Sequence, residues 1–213
     1  MSDNDKRVTG FVVPVGNGGV GKTSLARVLL EYSRELEGYE AFIETRVTKN
    51  LEFEFVPIVW EENGKRFKVM AQILVPPGQK IMEDRKKGRS YEQVIDIYRF
   101  HIKRADVVLL VYSILEEDSW KDIHYWVNEV SDLIHDYTQY ILLGTHLDQV
   151  DQRAVIWEDI AGERGRLMEL LKEVTPSWKG SCELLEVSNR TGKNIGRLRV
   201  LLAEGILKAG QHI

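Results

Sequence analysis

The sequence predicts an α/β fold of three layers, a doubly wound arrangement with about six mostly parallel strands and helices on both faces of the sheet. Strand-like and helix-like segments alternate along the 213 residues, as they do in chains built from strand–helix–strand units. Val107–Ile114 is an unbroken apolar run, which is typical of a strand buried on both faces of a parallel sheet. Asn63-Gly64 separates two strand-like runs. This dipeptide predicts one antiparallel hairpin, because the turn requires positive φ at its central residues.

Local periodicity predicts the other elements. Short apolar, aromatic or β-branched runs indicate strands, and apolar residues spaced three or four apart indicate helices. In chain order we predict strand Val8–Val15, helix Lys22–Glu37, strands Leu51–Trp60 and Phe67–Val75, helix Tyr91–Lys103, strand Val107–Ile114, helix Ser119–Tyr137, strand Tyr140–Gly144, helix Glu163–Val174, strand Glu183–Val187 and helix Asn194–Lys208. Residues 8–209 are expected to form a single domain between a flexible N-terminus, residues 1–7, and a tail, residues 210–213.

Composition narrows the classes of partner. The chain has 29 Lys and Arg against 33 Asp and Glu, a formal charge of −4, so nothing favours nucleic acid as a partner. A single cysteine, Cys182, excludes an internal disulfide and fits a reducing compartment. No signal peptide, membrane span or acceptor residue for a lipid anchor is evident in the sequence, so we expect a cytoplasmic protein.

Gly16–Thr23 reads G-N-G-G-V-G-K-T and lies between the first predicted strand and the first predicted helix. The segment matches the phosphate-binding pattern G-x-x-x-x-G-K-S/T of P-loop proteins. Its glycines let the backbone approach phosphates closely, and its N–H groups together with the helix N-terminus form an anion site. We expect the Lys22 ammonium to lie near the β- and γ-phosphates and the Thr23 hydroxyl to ligate Mg²⁺. The pattern therefore predicts a nucleotide-binding protein.

Two later segments indicate which base is bound. Thr145–Asp148 follows a predicted strand, and a carboxylate in this position can accept hydrogen bonds from the N1–H and 2-amino groups of guanine. Adenine has no such pair of donors and would leave the carboxylate desolvated and unpaired. Ser188–Arg190 follows the last predicted strand, where its backbone can hold the guanine O6. Guanine is therefore the predicted base.

Taken in order, Gly16–Thr23, Gly78-Gln79, Thr145–Asp148 and Ser188–Arg190 resemble the motifs of the Ras-like small GTPases over almost the whole chain. Thr145–Asp148 is similar to the threonine-containing variant of Rho-type members. Leu51–Pro57 and Val75–Gln79 look more like the bacterial gliding and polarity GTPases. The resemblance implies the P-loop NTPase fold and a molecular switch that binds GTP or GDP with Mg²⁺ and hydrolyses GTP slowly.

The resemblance also implies roles for individual residues. Gln79 would orient the attacking water, with Lys22 as its catalytic partner. Mg²⁺ would be held by Thr23 and by a switch threonine within residues 41–50, with Thr48 the first choice and Thr45 the second. The implied phosphate contacts are Gly16, Asn17, Gly18, Gly19, Val20, Gly21, Lys22, Thr23, Ser24 and Gly78. The implied guanine contacts are Thr145, His146, Asp148, Ser188, Asn189 and Arg190.

The sequence departs from the family pattern in three places. Val75 stands where most members have the Mg²⁺-linked aspartate of D-x-x-G, which puts Mg²⁺ binding in doubt. His146 stands where the family usually has Lys or Gln, and two interpretations are open, a tolerated surface substitution or a pH-sensing role. The stretch between Gln79 and Val107 is longer than a minimal Ras-like domain needs and includes the basic residues 85–89. Those residues form either a solvated loop or a surface for an effector or other acidic partner.

Three functions follow from these observations. The first is a GTP-hydrolysing switch whose effector and GTPase-activating partner bind switch segments near residues 41–50 and 78–103, with an arginine finger from Arg46 or from a partner. The second is a nucleotide-loaded binding or scaffold module with little or no hydrolysis, because Val75 replaces the aspartate. The third is a P-loop phosphotransferase acting on a small molecule, which would usually use ATP.

Overall fold

A computed structural model describes residues 5–32, 52–62, 65–75, 99–100, 102–131 and 133–211. The strands are β1 Asp5–Val15, β2 Glu52–Glu62, β3 Lys65–Val75, β4 Ala105–Ser113, β5 Gln139–Thr145 and β6 Cys182–Glu186. The helices are α1 Lys22–Tyr32, α2 Glu117–Lys121, α3 Ile123–Ser131, α4 Trp157–Val174 and α5 Ile195–Gly210, and a 3-10 helix covers Leu147–Gln152.

The six strands form one sheet in the order β2-β3-β1-β4-β5-β6. β2 and β3 are antiparallel, with Glu62 paired to Lys65, whereas β1 pairs in parallel with both β3 and β4 and the remaining neighbours are also parallel. The predicted fold class is confirmed. From β1 the chain first builds one side of the sheet and then the other, so the carboxyl end of β1 lies at a topological switch point, where such folds bind ligands.

The core has two halves, one on each face of the sheet, and β4 contributes to both. All nine residues of β4 are buried, as the apolar run predicts. Val107, Leu109 and Val111 pack on the face covered by α1 and α5, and Val108, Leu110 and Tyr112 pack on the face covered by α3 and α4. Because β4 is packed on both faces, it cannot slide along its axis relative to the helices. This packing positions the loops that follow the carboxyl ends of the strands.

One predicted helix, Ser119–Tyr137, is wrong in its extent. The chain forms two helices there, interrupted at Asp122, and the second ends at Ser131. The helix cannot continue to Tyr137, because Thr138 directly precedes β5 and is held there: its Oγ1 donates to Ala105 O at 2.8 Å, and its carbonyl accepts from the Trp178 indole at 2.7 Å. These contacts come from distant parts of the chain, so helical periodicity could not reveal them.

Other element boundaries also differ from the prediction. The fourth helix begins at Trp157, earlier than the predicted Glu163. The predicted extension of α1 to Glu37 and most of the predicted helix Tyr91–Lys103 lie outside the described residues, although Arg99, Phe100 and Ile102 are helical.

Asp106 occupies a β-bulge between β1 and β4. Phe11 pairs with Ala105 while Val12 pairs with Val107, so Asp106 is the extra residue. Its Oδ2 accepts from the Phe11 N–H at 2.7 Å. The carboxylate oxygen thus takes the place of the backbone carbonyl that would accept this N–H in a regular pair of strands. The residue is only 7% exposed, and burial raises the pKa of its carboxyl from 3.8 to about 6, against a smaller opposing effect of the Phe11 N–H.

Asp106→Asn is expected to stabilise the chain above pH 6 and to have little effect below pH 4. The pKa of Asp106 in the folded chain exceeds its ordinary value, so the folded state releases the proton at a higher pH than the unfolded state does. The free energy of unfolding therefore falls as pH rises from 3.8 through about 6. At about 1.4 kcal/mol per pKa unit, the ionised carboxylate costs about 3 kcal/mol at pH 8, while an amide oxygen can still accept from Phe11. Urea unfolding at several pH values measures the gain, with the exposed Asp151→Asn as the control. A gain that does not change between pH 4 and pH 8 would contradict this explanation.

Candidate nucleotide-binding site

The loop between β1 and α1 has a backbone that requires glycine. Gly16, Gly19 and Gly21 have φ of 145°, 87° and 92°, a region that residues with a Cβ rarely adopt. A Cβ on Gly16 would lie 2.1 Å from Val111 O, so the loop could not pack against β4 with any larger residue. Gly18 and Gly19 are exposed at the tip. The backbone there is open to a ligand, as the phosphate-loop prediction requires.

Lys22 begins α1 and folds back over this loop. Its Nζ donates to Gly16 O at 2.7 Å and to Asn17 O at 2.6 Å. The side chain is 7% exposed, and burial lowers the pKa of the ammonium from 10.5 to about 8. A desolvated cation is thus held against the carbonyls of the loop, beside the first turn of α1, which is a favourable environment for a phosphate anion. Thr23 and Ser24 follow in the first turn of α1, and both are half-buried.

Side chains from the later motifs contact the same loop. The Thr145 hydroxyl, at the end of β5, donates to Val20 O at 2.8 Å and lies 3.0 Å from Tyr112 O. The Asn189 amide nitrogen, after β6, donates to Gly21 O at 3.1 Å. The segments predicted to bind the base are therefore attached directly to the segment predicted to bind the phosphates.

Asp148 and Ser188 come together although 40 positions separate them in the sequence. The Ser188 hydroxyl donates to Asp148 Oδ1 at 2.6 Å and accepts the Thr191 N–H at 3.0 Å. The Leu147 N–H donates to Val187 O at 3.1 Å and fastens the two loops to each other. Within the described part of the chain, Asp148 Oδ2 has no hydrogen-bond partner. The pair can therefore present one oriented carboxylate to a base.

His146 is anchored at the ends of two strands. Its backbone is left-handed, with φ of 66°, and its Nδ1 lies 2.9 Å from Ser113 Oγ and 3.1 Å from Thr145 Oγ1. The Thr145 hydrogen is directed to backbone carbonyls, so that oxygen is an acceptor toward the imidazole. The half-buried ring is thus held through Nδ1, and it does not lie free on the surface. Arg190, in the neighbouring loop, is exposed.

An ion pair that no sequence motif indicates lies behind the two loops predicted to bind the base. Arg153 donates to both carboxylate oxygens of Glu186, at 2.8 Å and 2.6 Å. The Glu186 carbonyl also accepts from the Asn194 side chain at 2.8 Å. Arg153 follows the 3-10 helix that carries Asp148, and Glu186 ends the strand that leads to Ser188. The bidentate pair therefore fixes the spacing of the two loops, but neither residue type nor spacing marks it in the sequence.

Several predicted residues lie outside the described part of the chain: Thr45, Arg46, Thr48, Gly78, Gln79 and residues 85–89. Val75 ends β3, and its side chain is also outside that part. Among the described residues, no group of three or more His, Cys, Asp or Glu side chains could hold a metal ion.

Comparison with known proteins shows the family to which this chain belongs. Residues 89–202, more than half of the chain, match the sequence model of the Ras family, so the chain belongs to the Ras family. The match covers Thr145–Asp148 and Ser188–Arg190. It does not cover Gly16–Thr23. The phosphate-loop prediction for that segment is supported by its sequence motif and by its backbone geometry.

Individual relatives are distant. The chain is 28% identical to the Ras-related protein Rab-26 of Mus musculus over 86% of its own length and 57% of the relative's. It is 29% identical to human Ras-related protein Rab-15 over 92% of its own length and 75% of the relative's. It is 24% identical to the Ras-related protein RabF1 of Dictyostelium discoideum, over 73% of this chain and 68% of the relative. The chain thus spans less than two thirds of some of its relatives. The likenesses to Rho-type and gliding GTPases stay predictions.

None of the helices in the described ranges is long and apolar enough to cross a membrane.

Proposed function

We propose that this chain is a cytoplasmic molecular switch that binds GTP and GDP with Mg²⁺ and hydrolyses GTP slowly, within a single domain of residues 8–209. One observation carries the proposal: the phosphate loop with its buried Lys22 is bonded, through Thr145 and Asn189, to the loops that pair Asp148 with Ser188. A triphosphate lying along the loop would leave its base beside Asp148, because the two regions are in direct contact.

Recognition of guanine would depend on the carboxylate of Asp148. The Ser188 hydroxyl holds one of its oxygens at 2.6 Å, which restricts the rotation of the side chain before any base arrives. Guanine would supply two donors to this carboxylate, whereas adenine would desolvate it and supply none, so that the Ser188 hydroxyl would be its one remaining donor among the contacts described here. The backbone of Ser188, Asn189 and Arg190 would accommodate O6.

Phosphate binding and hydrolysis would use the loop and the switch segments. Lys22 and the loop N–H groups would stabilise the charge that develops as a water, oriented by Gln79, attacks the γ-phosphorus in line. Thr23 and Thr48, or Thr45, would hold Mg²⁺, which supplies charge neutralisation at the β- and γ-phosphates when bound. The Gly78 N–H would contact the γ-phosphate. An effector and a GTPase-activating partner would bind where these segments change with the nucleotide, and an arginine finger would come from Arg46 or from that partner.

A second candidate function is a nucleotide-loaded binding module with little hydrolysis. Val75 favours it, because valine at this position offers no oxygen toward a magnesium-bound water. The candidates share the same phosphate and base sites and differ only in turnover.

Gln79→Ala is expected to slow single-turnover hydrolysis of bound GTP by at least about tenfold, since the water would lose its orienting group. The rate should also depend on Mg²⁺, and the exposed Gln152→Ala is the matched control. GTP binding without hydrolysis in the unsubstituted chain would favour the binding module. Hydrolysis at an unchanged rate in Gln79→Ala would remove the role proposed for Gln79.

A further inference from the structure

Asn17, the second residue of the phosphate loop, uses both ends of its side-chain amide. Its Nδ2 donates to Asp122 Oδ2 at 2.6 Å, and its Oδ1 accepts from the Trp126 indole N–H at 2.8 Å. A carboxylate can only accept and an indole N–H can only donate, so the two partners fix the orientation of the amide. All three side chains are half-buried, where such bonds are stronger than in water.

The backbone of the same residue holds the loop's cation. The Asn17 carbonyl accepts from Lys22 Nζ at 2.6 Å, next to the bond from Lys22 to Gly16 O. Any movement of Asn17 would therefore displace one of the two carbonyls that orient the ammonium. The residue whose side chain is fixed by Asp122 and Trp126 is thus also a direct contact of the charge that the proposed function assigns to phosphate binding.

Asp122 and Trp126 come from one part of the structure, the junction between α2 and α3. Asp122 separates the two helices, and its N–H donates to Asp118 O at 3.0 Å. The backbone N–H of Trp126 donates to the backbone carbonyl of Asp122, also at 3.0 Å. Asp122 and Trp126 are therefore one helical turn apart. On the outer side the Trp126 ring meets the Tyr125 ring edge-on, with centroids 5.3 Å apart. Tyr125 is 50% exposed, so the ring that contacts Trp126 lies partly at the surface of α3.

We propose that Asn17, Asp122 and Trp126 form a clamp that positions the phosphate loop and thereby sets how slowly a bound nucleotide is released. The proposal rests on the proposed function, because it concerns the nucleotide held by that loop. These are positioning residues, and they act through the Asn17 carbonyl and Lys22. Through the clamp, α3, which contains none of the predicted site residues, would influence the rate of nucleotide release.

The test follows release of a fluorescent GDP analogue from the full chain, together with thermal unfolding of the nucleotide-free protein. Trp126→Phe keeps the ring against Tyr125 but removes the indole N–H, and it is expected to speed release about tenfold, the effect of one hydrogen bond. Asn17→Asp sets a carboxylate against Asp122, and it should speed release further through like-charge repulsion.

The exchanged pair, Asn17→Asp with Asp122→Asn, is the decisive variant. An amide at position 122 can donate to the carboxylate at position 17, which still accepts from Trp126, so slow release should return. Lys121→Gln, at an exposed residue of α2 that pairs with Glu117, is the matched control and should not change release. The unfolding temperature of Trp126→Phe should stay close to that of the control, which separates positioning of the loop from general support of the fold.

Two further outcomes separate the clamp from the proposed function. If the unsubstituted chain binds no guanine nucleotide, the proposed function is overturned and the clamp with it. If the chain binds GDP but release is equally fast in Trp126→Phe, Asn17→Asp and the control, the clamp alone is overturned. Failure of the exchanged pair to restore slow release would also count against the clamp.

Discussion

Replacing Lys22 with methionine is expected to abolish tight GTP and GDP binding while leaving the nucleotide-free chain at least as stable as before. The Lys22 ammonium lies within the loop and contacts Gly16 O and Asn17 O, so it is placed to form several charge-assisted bonds to phosphate. Losing about 4 kcal/mol of such bonds corresponds to a loss of affinity of about a thousandfold.

The effect on stability should have the opposite sign. Burial lowers the pKa of Lys22 from 10.5 to about 8, so the folded state gives up this proton more readily than the unfolded state does. The stability of the unsubstituted chain therefore rises with pH between about 8 and 10.5, and at pH 7 the buried charge costs up to about 3 kcal/mol. Methionine fills a similar volume and removes that cost.

Isothermal titration with GDP and urea unfolding at pH 7 and pH 10 measure the two effects of Lys22→Met. The exposed Lys193→Met, in the loop after β6, is the control. We expect the stability gain of the variant to be largest at pH 7 and to shrink at pH 10. Tight binding of GDP by Lys22→Met would rule out the role assigned to this lysine.

Asp148→Asn is expected to change which base the chain prefers. The amide oxygen can still accept from Ser188, which now contacts Oδ1 at 2.6 Å, so the loop should keep its position. The amide would nevertheless meet the 2-amino group of guanine with its own N–H₂ group, and the mismatch should weaken GTP binding by at least about a hundredfold. Xanthine carries a carbonyl at C2, which the amide can donate to.

The expected outcome is therefore that XTP competes better than GTP for the Asp148→Asn variant and worse for the unsubstituted chain. Competition against a fluorescent nucleotide measures this, with Asp151→Asn in the same 3-10 helix as the control. A variant that keeps its preference for GTP would show that Asp148 does not read the base.

Local patterns in the sequence predicted the parts of the fold that depend on local structure. β4 was recognisable because burial on both faces demands an unbroken apolar run. The loop was recognisable because its backbone requires glycine at Gly16, Gly19 and Gly21. Asp148 and Ser188 could be placed at one site because both follow strands whose carboxyl ends share an edge of the sheet.

Long-range contacts account for what the sequence did not reveal. Arg153 and Glu186 are 33 positions apart, and Asn17 and Asp122 are 105 positions apart. No short-range periodicity connects such pairs, and each residue taken alone resembles an ordinary surface residue. The early end of α3 has the same origin, since Thr138 is held by Ala105 and Trp178.

Competition between GTP and ATP for the unsubstituted chain tests directly whether this is a guanine-nucleotide protein. With Mg²⁺ present, GTP should displace a fluorescent GDP analogue at a concentration at least about a hundredfold lower than ATP, because adenine offers the Asp148 carboxylate no donors in place of the two that guanine supplies. Displacement by ATP at equal or lower concentration would contradict guanine recognition by Asp148 and would favour a phosphotransferase instead.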